Sequence, residues 1–296
     1  MKPSRVRQRW AEGKPVLATV SFFTDPASAE LISLLGFDCI WIDLEHEPTC
    51  IGEAAQMIRA ARVGKADVMA RPGKGEFMRM GRLLEAGAMG ILYPRCDDAA
   101  EAREVVRWAK FAPLGERGFM GANSDARYGM IGMGKYVRDA NEQTWLAIQI
   151  ESPTAVKHAR SIAEVEGVDV VFFGPGDYSV LSGVPGQFDH GKVPEAMREV
   201  CRETLAAGKR FGTLVFNLEQ AQRVLDMGGS LVCYGADVGF VKEGLEQVKT
   251  QFGRLGFSFD GDEVPPHPTA PPHYRHIDGV PVRDGGPIHR EKISSI

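Results

Sequence analysis

One theme recurs eight times along the chain. A short run of apolar and β-branched residues gives way to a polar turn, and the turn to an amphipathic stretch long enough for a helix. Strands that read as unbroken apolar runs are buried on both faces, the situation of a parallel sheet covered by helices. The runs fall at Val16–Phe22, Asp38–Ile42, Asp67–Ala70, Gly90–Tyr93, Trp145–Ile150, Asp169–Phe173, Phe211–Val215 and Ser230–Cys233. Helices are expected after them over Ala27–Leu35, Ile51–Arg62, Glu76–Ala86, Asp98–Lys110, Thr154–Ala163, Pro194–Ala207, Leu218–Met227 and Val238–Phe252. Gly36, Gly87, Gly208 and Gly228 stand just past four of these helices, where a C-cap needs a positive φ. Eight βα units in order predict an α/β fold, a closed (β/α)8 TIM barrel rather than a doubly wound sheet. The segment Phe111–Gly134 interrupts the rhythm and reads as a long loop.

The barrel accounts for residues 1–256. Residues 257–296 carry Pro265, Pro266, Pro268, Pro271, Pro272, Pro281 and Pro287 with little hydrophobic periodicity, and read as a Pro-rich C-terminal arm or tail, not a second domain. His267, His273, His276 and His289 lie in that tail, at spacings that fit no compact metal site. A net charge of −4 gives no global basic field for nucleic acid or anionic lipid. Five cysteines, with no CxxC pair, suit a reducing compartment better than a disulfide framework. No apolar run reaches the roughly 18 residues of a membrane span, and no apolar core follows the basic N-terminus. The expected address is the cytoplasm.

In such a barrel the chemistry gathers at the C-terminal ends of the strands. The second strand runs into Asp43-Leu44-Glu45-His46-Glu47, the third into Arg71-Pro72, the fourth into Pro94-Arg95, the fifth into Glu151 and the sixth into Gly174-Pro175-Gly176-Asp177. Glu151 and Asp177 end adjacent strands. Each has a bland explanation, a helix cap for Glu151 and a turn for Asp177. Taken together they point to one hard divalent cation with positions left over for water and substrate oxygens. Gly174 and Gly176 leave amides uncovered, as a carboxylate-binding nest would. Arg71 suits a developing enolate oxygen, and His46 suits acid–base work. No strand ends in Lys, which disfavours a Schiff-base aldolase. No GxGxxG follows the first strand, which disfavours a nicotinamide enzyme.

The stretches GFDCIWIDLEHEP (Gly36–Pro48), ARP (Ala70–Pro72), LLEAGAMGILYP (Leu83–Pro94), QIES (Gln149–Ser152) and EGVDVVFFGPGDYS (Glu166–Ser179) resemble the HpcH/HpaI aldolase family, from about Pro15 to Phe252. The resemblance implies a class II, metal-dependent pyruvate aldolase. It places the metal on Glu151 and Asp177, the catalytic His at His46 and the enolate-stabilising Arg at Arg71. Gln149, Gly174, Gly176 and Asp177 fall at the substrate. The family often has Asp at the position of Glu85, reaching a neighbouring subunit's His; here the side chain is one methylene longer. The resemblance also implies a homohexamer, a trimer of dimers with an exchanged C-terminal helix.

The expected reaction is reversible aldol cleavage of a 4-hydroxy-2-oxo acid to pyruvate, or a related 2-oxo acid, and an aldehyde. The expected metal is Mg2+ or Mn2+, with Co2+ or Zn2+ as alternatives. An oxaloacetate-decarboxylating or citrate-type synthase would use the same enolate, and a catalytically silent metabolite-binding protein would use neither metal nor enolate. Arg95 has no role assigned by sequence.

Overall fold

The computed structural model describes residues 1–261; the prolines and histidines of the tail named above all lie outside the described residues. The eight strands are β1 (Val16–Ser21), β2 (Cys39–Asp43), β3 (Asp67–Arg71), β4 (Gly90–Tyr93), β5 (Trp145–Ile150), β6 (Val170–Phe173), β7 (Arg210–Val215) and β8 (Leu231–Ala236). They pair in chain order, all parallel, into a closed barrel. The last strand returns to the first with Val16 opposite Leu231 and Ala18 opposite Cys233. The predicted TIM barrel is the observed fold.

Twelve α-helices are described: α1 (Arg5–Ala11), α2 (Pro26–Leu34), α3 (Ile51–Ala61), α4 (Phe77–Ala86), α5 (Ala99–Ala109), α6 (Met133–Gln143), α7 (Pro153–Lys157), α8 (Ala159–Ala163), α9 (Pro175–Leu181), α10 (Lys192–Ala206), α11 (Leu218–Asp226) and α12 (Asp237–Gly253). Three of them have no counterpart in the sequence reading. The first, α1, buries only Val6 and Trp10, too few for a visible apolar stripe. It closes the N-terminal end of the barrel: Trp10 meets Trp145 edge-on at 5.6 Å, and buried Asp67 accepts hydrogen bonds from the Ser4 hydroxyl and from the Arg5 and Val6 amides. The second, α6, begins at the end of the expected loop, Phe111–Gly134, which also holds a 3-10 turn at Arg127–Gly129. It buries Tyr136 and Ala140 alone. The third, α9, starts inside the Gly-Pro-Gly segment, with Pro175 at its first turn. The single helix expected over Thr154–Ala163 is two, parted at His158.

Period two along a strand sends alternate side chains to opposite faces. In β2, Ile40 and Ile42 pack outward among the helices, while Cys39 and Trp41 fill the barrel interior. Met69 of β3, Trp145 and Ala147 of β5, and Val170 and Phe172 of β6 fill the interior too. Stepping two residues up each strand puts Asp43, Arg71 and Gln149 on the inward face at the C-terminal rim. A functional site therefore sits on a packed floor.

Candidate active site

A cavity of about 350 Å3 opens at that rim. Arg71, Gln149, Glu151, Gly174, Gly176, Asp177 and His46 all line it, with Asp43 and Trp41. Arg71 is only 7% exposed. Its Nε donates to Asp43 Oδ1 at 2.9 Å and its second terminal nitrogen to Asp43 Oδ2 at 2.6 Å, the two-pronged pairing that fixes a guanidinium plane. Its Cζ stands 4.7 Å from the Trp41 ring centre. Burial disfavours the cation, but the Asp43 hydrogen bonds and the carboxylates of Asp43, Glu45 and Glu151 outweigh it and hold the Arg71 pKa above the ordinary value. Asp43 and Arg71 are cross-strand partners at the ends of β2 and β3, so the sheet register itself aims this pair.

Glu151 follows β5 and is 2% exposed. Its Oε1 accepts from the Arg95 amide at 2.9 Å and its Oε2 from the Gln149 side-chain nitrogen at 2.6 Å. Arg95 has φ 52, the left-handed region, and that turn lies where its N–H reaches the carboxylate. Burial first, and then repulsion from Asp177, push the Glu151 pKa up to about 8, with Arg71 opposing. The cap of α7 is Ser152, so Glu151 is free of the bland role open to it in sequence. Asp177 likewise sits in the first turn of α9, not in an open turn. A Cβ on Gly174 would run into the carboxylate of Glu151 and the amide of Gln149; glycine is what lets α9 begin this close. With glycine as N-cap, α9 has no side-chain cap, and its first amides lie at the cavity wall.

Glu45 sits behind the same rim. Burial raises its pKa against the pull of Arg71 and His46. Its Oε2 is 3.3 Å from Arg71 Nε and 3.7 Å from His46 Nε2, yet has no hydrogen-bond partner. The His46 side chain is 56% exposed, at the mouth. Glu85 is not brought to the cavity: it lies in the last turn of α4, which leads back to the start of β4 at the opposite end of the barrel. Sequence reasoning passed over Asp43 as a partner for Arg71, and the Arg95 amide. The first was readable from the equal spacing of the two strands, the second from nothing in the residue type.

Among the described residues no three His, Cys, Asp or Glu side chains gather as a closed metal cage. Two carboxylates that repel one another, buried Glu151 and half-buried Asp177, do face one cavity, and that donor set fits a hard cation that keeps open positions.

Residues 21–243 match the model of the HpcH/HpaI aldolase/citrate lyase family. The chain belongs to that family. The match covers β2 to β8 in full and all the cavity residues named above. A hydroxypyruvate/pyruvate aldolase of Delftia acidovorans is 35% identical over 242 residues, 81% of this chain and 88% of its own length. A 4-hydroxy-2-oxo-heptane-1,7-dioate aldolase of Shigella sonnei is 33% identical over 242 residues, 81% and 92% of the two chains. Among solved structures, an HpcH/HpaI aldolase/citrate lyase family protein from Burkholderia cenocepacia superposes with a TM-score of 0.79 at 27% identity, covering 84% of this chain and 99% of its own. Membership in this family makes carbon–carbon lyase chemistry the broad class of this chain. No helix among the described residues is long and apolar enough to cross a membrane.

Proposed function

We propose that the chain is a divalent-metal-dependent aldolase that joins pyruvate, or a closely related 2-oxo acid, to an aldehyde and reverses that reaction. The observation that carries this reading is the convergence of Glu151, Asp177 and the Asp43-clamped Arg71 on one cavity. Glu151 and Asp177 would hold the metal, Mg2+ or Mn2+ by the hardness of the ligands. When bound, such an ion supplies a Lewis acid that polarises the 2-oxo carbonyl and acidifies the neighbouring carbon.

The chain's own groups do the rest. The amides at Gly176 and Asp177, beside Gly174, receive the 2-oxo acid's carboxylate, and Gln149 braces Glu151 at the cavity wall. Arg71 offers its remaining N–H groups to the enolate oxygen, and its clamp means little reorganisation as charge develops there. In cleavage the 4-hydroxyl loses its proton to His46 through water, the C3–C4 bond breaks, its electrons form the enolate, and the aldehyde leaves. Protonation at C3 then gives pyruvate. In addition the enolate carbon bonds to the aldehyde carbon, whose oxygen takes the proton back.

A homo-oligomer, a trimer of dimers, goes with this reading. The apolar side chains Leu245, Val248 and Phe252 of α12 stand exposed, and a second copy would cover them. In such an assembly Glu85 would act in a neighbour's site. The barrel of residues 1–256 carries the chemistry and the tail does not.

The test is deuterium uptake into the methyl group of pyruvate by the metal-loaded protein, followed by products with an aldehyde panel. Metal-dependent uptake and a 4-hydroxy-2-oxo product support the aldolase. Absence of uptake with every divalent ion tried would sink it. Oxaloacetate consumed with a citrate-type product in place of the hydroxy-oxo acid would move the reading to a synthase.

A further inference from the structure

Beside the catalytic cavity lies a second one of about 310 Å3, and the two share Val20, Phe22, Gly176 and Leu214 as a common wall. Beyond that wall its surface is built from the ring pair Phe188–Phe216, with centroids 4.3 Å apart, from Val215, and from the start of α12. There Phe240 lies against the bare backbone of Gly235, where a Cβ would strike its ring. Among the described residues Glu243 is the one charged side chain on its walls. The catalytic cavity is the opposite in character, walled by Asp43, His46, Glu47, Arg71, Glu151 and Asp177.

We infer that this annex holds the far end of the acceptor, and that the acceptor is an uncharged aldehyde with an apolar tail, aliphatic or aromatic. The inference rests on the aldolase reading above and adds the substrate class. A carboxylate at the far end would meet no cation there and would face Glu243. A polyhydroxylated tail would lose water to phenyl and isopropyl surfaces that return no hydrogen bonds. Apolar surface entering the annex gains with each carbon. The aldehyde carbon itself must lie on the shared wall, within reach of the enolate formed between Arg71 and Glu151.

Three measurements on the metal-loaded full chain decide it. Addition of pyruvate to straight-chain aldehydes from ethanal to heptanal should rise in kcat/KM by about fourfold per added methylene over the first few members and then level off. Benzaldehyde should be accepted and succinic semialdehyde should fall below butanal. Gly239 lines the annex and a Cβ there meets no atom within 4 Å, so Gly239→Leu occupies annex space; it should flatten the series and leave pyruvate deuterium uptake unchanged. Glu243→Lys adds a cation at the rim and should raise succinic semialdehyde relative to butanal. If Gly239→Leu fails to fold, that second variant still tests the site. Binding of 1-hexanol, observed by ligand NMR, should be lost in Gly239→Leu. A flat aldehyde series in the wild type, or the same slope in Gly239→Leu, overturns the inference while pyruvate uptake keeps the aldolase. Missing pyruvate uptake overturns the aldolase, and the hexanol titration then decides the annex alone: binding sensitive to Gly239→Leu upholds an apolar site, and no binding refutes it.

Discussion

Replacing Glu151 with Gln should make the metal-free protein more stable while removing most of its metal affinity. Burial and the Asp177 carboxylate push the Glu151 pKa up to about 8, from 4.5 for a free side chain. A carboxyl whose folded pKa is raised binds more protons folded than unfolded between those two values. Its contribution to stability is therefore fully present below pH 4.5 and is lost as pH rises toward 8. At pH 7 the loss spans about 2.5 pH units at about 1.4 kcal/mol each, or about 3 kcal/mol. A neutral amide does not bear that loss. Its geometry is also accommodated: Gln149 Oε1 is buried without a partner, so a turned Gln149 side chain accepts from the new NH2 while the Arg95 amide keeps its acceptor. For a domain of this size the gain corresponds to a rise of roughly 6–12 °C in Tm. The assay is thermal unfolding of both proteins in chelator, at equal protomer concentration, at pH 5, 7 and 8, beside a metal titration at pH 7. The advantage of Glu151→Gln should be small at pH 5, under about 1 kcal/mol, and grow with pH. A variant no more stable than wild type at pH 8, or one that binds metal equally well, would refute the placement of a strained, metal-ready carboxylate here.

Arg71→Lys keeps a charge but cannot span both oxygens of Asp43, so aldol turnover should fall by about 10²–10³; steady-state rates with metal affinity measured in parallel check this. Gly174→Ala drives a methyl group into Glu151 and Gln149 and should cost about 1–3 kcal/mol, read by denaturant unfolding, together with weaker metal binding. His46→Ala, at the exposed mouth, should lower aldol cleavage by about 10²–10⁴ yet spare oxaloacetate decarboxylation, where loss of CO2 makes the enolate without that base. Equal losses in both reactions, with metal still bound, would show that His46 does not serve the aldehyde side.

The barrel was legible because each of its strands is apolar on both faces and each covering helix has a stripe. Where a helix buries one or two residues the same logic goes silent. Trp10 and Val6 of α1, and Tyr136 and Ala140 of α6, anchor their helices through single large or close contacts, not through periodicity. His158 shows the reverse failure: the apolar pattern runs on from α7 into α8, but the backbone turns at φ −101 between them, and hydrophobic spacing does not record such a break.

The site was legible to the extent that its chemistry is carried by side chains at strand ends. Knowing that β2 and β3 end in Asp and Arg, and that parallel neighbours share a register, suffices to set Asp43 against Arg71. The strand-end rule likewise finds Glu151, because two steps along β5 from Ala147 reach Gln149 and two more reach the rim. Main-chain donors leave no such trace. Arg95 serves Glu151 through its amide, and any residue but proline has that amide. What makes it a ligand is φ 52, a conformation that arginine's side chain does not announce. The same holds for the first turn of α9. There the one visible letter is the missing side chain of Gly174, and its meaning depends on how close Glu151 comes, which is a property of the fold and not of the residue.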